Sequence, residues 1–162
     1  SLSGIPFEGF DSYQDGVGSM KGTIAKLITL FDQRCEDMDR SCLVTVLAES
    51  LVVPNAALQD YIKWEEIDDT HAKATISWNG ISASGIFTFD EQGRVLYFKT
   101  GDRVATGMDG SKREVEWSAV YSNYKNVNGL NQPTVLQSIW HYPEGDSVYF
   151  NENRAEVSIE YY

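Results

Sequence analysis

At 162 residues, with 42% hydrophobic and 23% charged side chains, the chain has the makings of one globular domain with its own core, and its composition argues against disorder. A net charge of −11, from 24 acidic against 13 basic residues, leaves no basic face for phosphate and argues against nucleic acid as a partner. No run approaches the roughly 20 apolar residues of a membrane span, and two cysteines are too few for a disulfide framework or a zinc site.

The chain begins at Ser1 without a signal peptide, which leaves open that a targeting segment has been removed, and leaves the compartment undefined. Residues 1–18 are punctuated by glycine and carry Phe7, Phe10 and Tyr13, the pattern of an extended loop or edge strand whose rings dock elsewhere. Gly16 and Gly18 lack the third glycine of a phosphate loop, since Lys21 stands there. Residues 20–32 read two ways. Ile24, Leu27, Ile28 and Phe31 have helical spacing, whereas Thr23, Ile24, Ile28 and Thr29 favour a strand. Locally the helix is slightly preferred.

The next helix is clearer. Asp39 is a good N-cap, and Leu43, Val46, Leu47, Ser50 and Leu51 build one face of a helix over residues 40–50. Cys35 and Cys42 are expected as two free thiols, because a bridge needs residues 36–39 to fold back. Pro54 cannot continue the helix and opens a short second one over residues 55–60. From Tyr61 onward the period becomes two. Strands are expected at 61–67, 72–78 and 81–89, the last two joined by the hairpin signal Asn79-Gly80. Ala83, Gly85, Phe87 and Phe89 share one face. Further strands follow at 94–100, 113–121, 133–142, 147–150 and 155–161, with turns at 90–93, 109–110, 124–132 and 143–146. Strands after helices make the fold class α+β.

Chemical motifs are sparse. His71 and His141 are the only histidines, and no Gly-x-Ser-x-Gly elbow accompanies them, so both read as surface residues rather than members of a triad. No metal-binding spacing is present and no cofactor is implied. The paired acids Glu65-Glu66 and Asp68-Asp69 point to opposite faces of a strand, which suits solvated edge charges better than a glycosidase pair. Trp64, Trp78, Trp117 and Trp140 all lie in expected strands, where they either fill the core or line a concave pocket. Arg103, at the end of an apolar strand, is placed to pair with an acid of the chain or with the acidic head group of a ligand.

Several stretches taken in order resemble one family of uncharacterised bacterial proteins, DUF6544. They include DSYQDGVGSMKG (residues 11–22), LAESLVVPNAAL (47–58), FTFDEQGRVLYF (87–98), VEWSAVYSNYKNVNGLNQPT (115–134) and IWHYPEGD (139–146). The resemblance implies a strand, not a helix, at residues 20–32. It also implies a single β-rich domain over residues 1–162 that resembles the C-terminal portion of longer relatives, with their opening strands absent or encoded differently. The implied fold is similar to lipoprotein carriers of the Lol type: a curved antiparallel sheet, a partly open barrel, with one or two helices at its mouth. In those carriers the concave face binds acyl chains. Glu49, Trp64, Asp68, Arg103, Trp117, Tyr124 and Trp140 match recurring positions of the family and are the candidate ligand-binding residues.

The leading expectation is a non-enzymatic binding protein. Its concave face, lined by Trp64, Phe87, Phe98, Trp117 and Trp140, would hold a lipid-like or other apolar molecule, with Arg103 and Glu49 at the polar rim. One alternative is an interaction module with a filled core that pairs with a partner, or a second copy, through a sheet edge. The other is a hydrolase with an unrecognised site.

Overall fold

The computed structural model describes residues 7–14, 17–24, 28–33, 36–53, 55–107, 109–127 and 129–158. Three strands come first: β1 (Phe7–Gln14), β2 (Val17–Ile24) and β3 (Ile28–Gln33), an antiparallel sheet in that order. Residues 20–32, expected as one strand, are therefore parts of two. Ile24 pairs with Ile28, so the chain doubles back, and the β-branched residues on either side decide against the locally favoured helix. Of the stretch at residues 1–18 read as loop or edge strand, residues 7–14 form β1 and residues 17–18 open β2. Cys35 and Pro54 lie outside the described residues, and with Cys35 the question of a bridge to Cys42.

Helix α1 (Glu36–Glu49) begins before the expected cap, so Asp39 sits in its first turn, where a carboxylate still suits the positive end of the helix. Ser41, Cys42, Leu43 and Val44 are all buried. At 100° per residue these four sweep most of the circumference, so the helix is covered on more than one side. It packs against β1 and β2 of the first sheet and against β5 (His71–Trp78) and β6 (Ile81–Phe89) of a second. Two covering sheets also explain why Val46, expected on a single buried stripe, is 37% exposed, while Val44 and Ala48 are buried. The short second helix expected over residues 55–60 is only a 3₁₀ turn, Ala56–Leu58, because Asn55 before it is left-handed at φ 64°.

The second sheet has seven strands. With β5 and β6 it contains β4 (Ile62–Asp68), β7 (Val95–Thr100), β10 (Glu116–Val127), β11 (Leu130–Tyr142) and β12 (Gly145–Phe150), in the order β12-β11-β10-β7-β6-β5-β4. A ribbon of β8 (Val104–Thr106) and β9 (Lys112–Glu114) is inserted between β7 and β10. Every neighbouring pair is antiparallel, as short connections require. Asn79 and Gly80 both have positive φ, 49° and 81°, which is the turn geometry the dipeptide announces. The sheet is open, with β4 and β12 as free edges, so the partly closed barrel is replaced by an unclosed sheet.

Three other boundaries differ from expectation. Residues 124–132, polar enough to read as a turn, are mostly paired strand: Lys125 pairs with Gln132, Asn126 with Asn131 and Val127 with Leu130. The strand expected at 113–121 is split at Val115, because its first residues fold back on β8. Of the strand expected at 155–161, residues 159–161 lie outside the described residues and 155–158 form no strand. Asn151 and Arg154 are both left-handed, at φ 55°, and the segment is tied down by Val157 N–H to the Thr134 carbonyl, by the Asn151 side chain to Ala155, and by Glu156 to Lys125 and Asn123.

One face of the large sheet meets α1. Ala83, Gly85 and Phe87 point there, as the alternation predicts, with Phe98, Trp117, Ala119 and Tyr121 beside them and Leu43, Val44 and Leu47 of the helix opposite. Thr88 pairs with Tyr97 and Phe89 with Val95, so Leu96 is an extra residue, and this bulge lets both Val95 and Phe98 turn inward. Gly85 is required by packing: a Cβ there falls onto the Phe98 ring and 2.8 Å from the Lys99 carbonyl.

Candidate functional site

The chain leaving β7 is pinned before it reaches Arg103. Thr100 Oγ1 donates to the Ser84 carbonyl (2.6 Å) and accepts from Asp102 N–H (2.9 Å). The Asp102 carboxylate accepts from Ser84 N–H (2.7 Å) and Oγ (3.1 Å). The turn so fixed drives Arg103 into the interior, where it is 5% exposed. Its guanidinium carbon lies 4.6 Å from the centroid of Trp117 and 5.8 Å from that of Trp140, and Nη1 donates to Thr45 Oγ1 at 3.1 Å. The two tryptophans are directly paired across β10 and β11, which sets them side by side on the inner face. Among the described residues no carboxylate forms an ion pair with Arg103. A buried cation stacked on indole faces is partly compensated. Among the described residues its one hydrogen bond is to Thr45, and its other nitrogens are not sealed, since Ser50 Oγ is the sole enclosed side-chain polar atom there without a partner.

Two cavities open on this guanidinium. One, of about 190 Å³, is lined by Thr45, Glu49, Arg103, Trp117 and Tyr149 among others. The second, of about 310 Å³, has Met38, Ser41, Arg103, Trp140, Tyr142 and Tyr149 in its wall. Tyr149 borders both: its hydroxyl accepts from Trp117 Nε1 (2.9 Å), and its ring stacks on Trp140 with centroids 6.0 Å apart. It stands on edge strand β12 and is 48% exposed, so it forms the outer wall.

Of the seven candidates from the sequence, Glu49, Arg103, Trp117 and Trp140 thus converge, and the other three lie elsewhere. Trp64 donates from Nε1 to the Ala57 carbonyl (2.9 Å) and packs on Phe87, clamping the 3₁₀ turn to β4. Asp68 accepts from Thr70 N–H and from His71 Nδ1, both at 2.8 Å, and these bonds, the backbone one foremost, hold its carboxyl at about 2. Tyr124 donates to the Val95 carbonyl (2.6 Å), and burial pushes its hydroxyl up to about 12. Phe87 and Phe98, expected in a pocket lining, are fully buried core with ring centroids 4.6 Å apart. Thr45 and Tyr149 were not singled out by sequence. Thr45 meets Arg103 across 58 residues, a distance no local pattern spans.

The opposite face of the sheet is polar and holds both histidines. His141 is not simply a surface residue. Its Nε2 is 2.6 Å from Ser118 Oγ and 3.3 Å from the Tyr97 hydroxyl, and its Nδ1 is 2.7 Å from Asp146 Oδ1. Among the described residues no group of three or more His, Cys, Asp or Glu is placed to hold a metal, and no helix is long and apolar enough to cross a membrane.

An open antiparallel sheet packed on one helix, with a buried guanidinium lying over two adjacent indoles beside two cavities, defines an α+β protein with a small recess. The chain belongs to the DUF6544 family, a family of unknown function whose model matches residues 1–152. No curated protein and no solved structure matches it.

Proposed function

We propose that the protein binds a small, largely apolar molecule carrying one acidic group, with the acid on Arg103 and the apolar part along Trp117, Trp140 and Tyr149. The observation that carries this reading is the buried guanidinium with, among the described residues, one hydrogen bond and no ion pair, and with two cavities that it lines. Guanidinium donors that face cavities rather than protein are open to a ligand, and a bidentate carboxylate is the group whose geometry suits them. Cavities of about 190 and 310 Å³ lie at or below the small end of ligand sites, which favours a short chain or a single ring over a long acyl chain. The reading assigns this cleft to binding, not chemistry.

The test is mass spectrometry of an organic extract from freshly purified protein, beside an Arg103→Ala variant. A near-stoichiometric acidic amphiphile, present in the parent and lost in the variant, is the expected result. Clean extracts from both would overturn the proposal and favour an interaction module. In that case the exposed Tyr149 and Phe150 on edge strand β12 become the contact surface.

A further inference from the structure

Ser118 lies between Trp117 and Ala119, which face α1, so its side chain points to the other side of the sheet. On that side the register sets Lys99 directly across from it on β7, while Glu116, two residues earlier, stands across from His141, which in turn faces Asp146 on β12. Asp146 accepts from His141 Nδ1, which assigns the imidazole tautomer with the Nε2 lone pair turned to Ser118 Oγ. Nucleophile to base is 2.6 Å and base to carboxylate 2.7 Å. We propose that Ser118, His141 and Asp146 form a serine hydrolase triad for small acyl esters on the outer face of the sheet, gated by the Lys99–Glu116 ion pair.

A triad is recognised by geometry and roles rather than by sequence position, and two further observations fit the roles. The first is a groove of about 600 Å³ on the same face, with Lys73, Ile86, Tyr97, Lys99 and Glu116 in its wall. Ser118, His141 and Asp146 are not in that wall; Lys99, paired with Ser118, and Glu116, paired with His141, stand between the groove and the triad. The second is the cover. Ser118 is 0% exposed, and the ion pair beside it joins Lys99 Nζ to Glu116 Oε2 at 2.7 Å. Both of these side chains are largely in solvent, where such a pair contributes little to stability and parts readily.

The chemistry balances with ester and water alone. Ser118 Oγ bonds to the acyl carbon while its proton passes to His141 Nε2, and Asp146 stabilises the imidazolium. β10 is a central strand with its backbone donors committed to both neighbours, so the oxyanion is met by a side chain: Lys99, drawn from Glu116 by the new charge. Collapse breaks the bond to the alcohol, which leaves with the proton from Nε2. Water then attacks the acyl-serine by the same route, its proton passing through Nε2 to Ser118 Oγ, and the carboxylic acid is released. This site lies on the opposite face from Arg103 and stands whether or not that cleft binds a ligand.

The test is labelling of the full chain with a fluorophosphonate, read by intact mass and peptide mapping. One adduct on Ser118 is expected. Glu116→Gln, which frees Lys99 without removing it, should label several-fold faster, and Ser118→Ala not at all. Asp146 is 62% exposed at its side chain, so Asp146→Asn leaves the fold intact, as circular dichroism can verify, and should label at least about tenfold more slowly. Absence of a Ser118 adduct in both the parent and Glu116→Gln, or an Asp146→Asn rate equal to the parent's, would overturn the proposal.

Discussion

Tyr121 ties the helix to the sheet through one hydroxyl. Ala48 lies in the last turn of α1, where carbonyls lack helical partners, and Tyr121 Oη–H donates to its oxygen at 2.6 Å in a fully buried setting. Tyr121→Phe leaves that carbonyl unsatisfied and should lower unfolding free energy by about 1–3 kcal/mol in a urea titration. Arg103 works the other way. An apolar side chain of similar length removes a buried charge that has no ion-pair partner among the described residues, so ligand-free Arg103→Met should be as stable as the parent or more so, by up to about 2 kcal/mol. A large loss of stability in that variant would mean that the guanidinium serves the fold rather than a ligand. Asp68 sets a pH dependence of definite sign. Its folded carboxyl is at about 2 against an ordinary 3.8, so its contribution is complete above pH 3.8 and disappears as pH falls through 2. Carbon-detected NMR should find this carboxyl still ionised at pH 3, and Asp68→Asn should flatten the acid limb of the stability curve.

At the scale of elements, Gly85 is the position with least tolerance. Gly85→Ala drives a methyl into Phe98 and the Lys99 carbonyl, so a loss of about 1–3 kcal/mol is expected by calorimetry, without change to the hairpin turn. β5 and β6 were legible because each carries its own evidence: Asn79-Gly80 fixes the turn, and the alternation from Ala83 to Phe87 fixes the buried face. The stripe of α1 was not legible, since Ser41, Cys42 and Val44 are buried by two sheets whose placement no local pattern encodes. The arm around Asn126 and Asn131 misled for a different reason: its polar residues are exposed on both faces, and polarity alone does not separate a solvated ladder from a loop. The site was half legible. Arg103, Trp117, Trp140 and Glu49 stand out by type, but their meeting depends on the register of β10 with β11 and on the pinned turn at Asp102.

For the whole molecule, α1 is the shared element. It lies against both sheets, and the large sheet does not keep its buried face without it. Leu47→Ala, at a fully buried position, should cost about 2–5 kcal/mol and lower far-UV and near-UV circular dichroism transitions together. Separate transitions would show that the small sheet melts independently. The edges of the large sheet differ in kind: β4 carries Glu65, Glu66 and Asp68, charges that discourage strand addition, whereas β12 presents Tyr149 and Phe150. The four tryptophans are likewise divided. Trp64 and Trp78 stand on β4 and β5, while Trp117 and Trp140 hold the Arg103 guanidinium between the two cavities. The protein therefore carries its own optical reporter. Excited indole is sensitive to a charge on its face, so neutralising Arg103 by an arriving carboxylate should shift the emission of one pair of tryptophans, while the distant pair supplies a constant reference in the same spectrum.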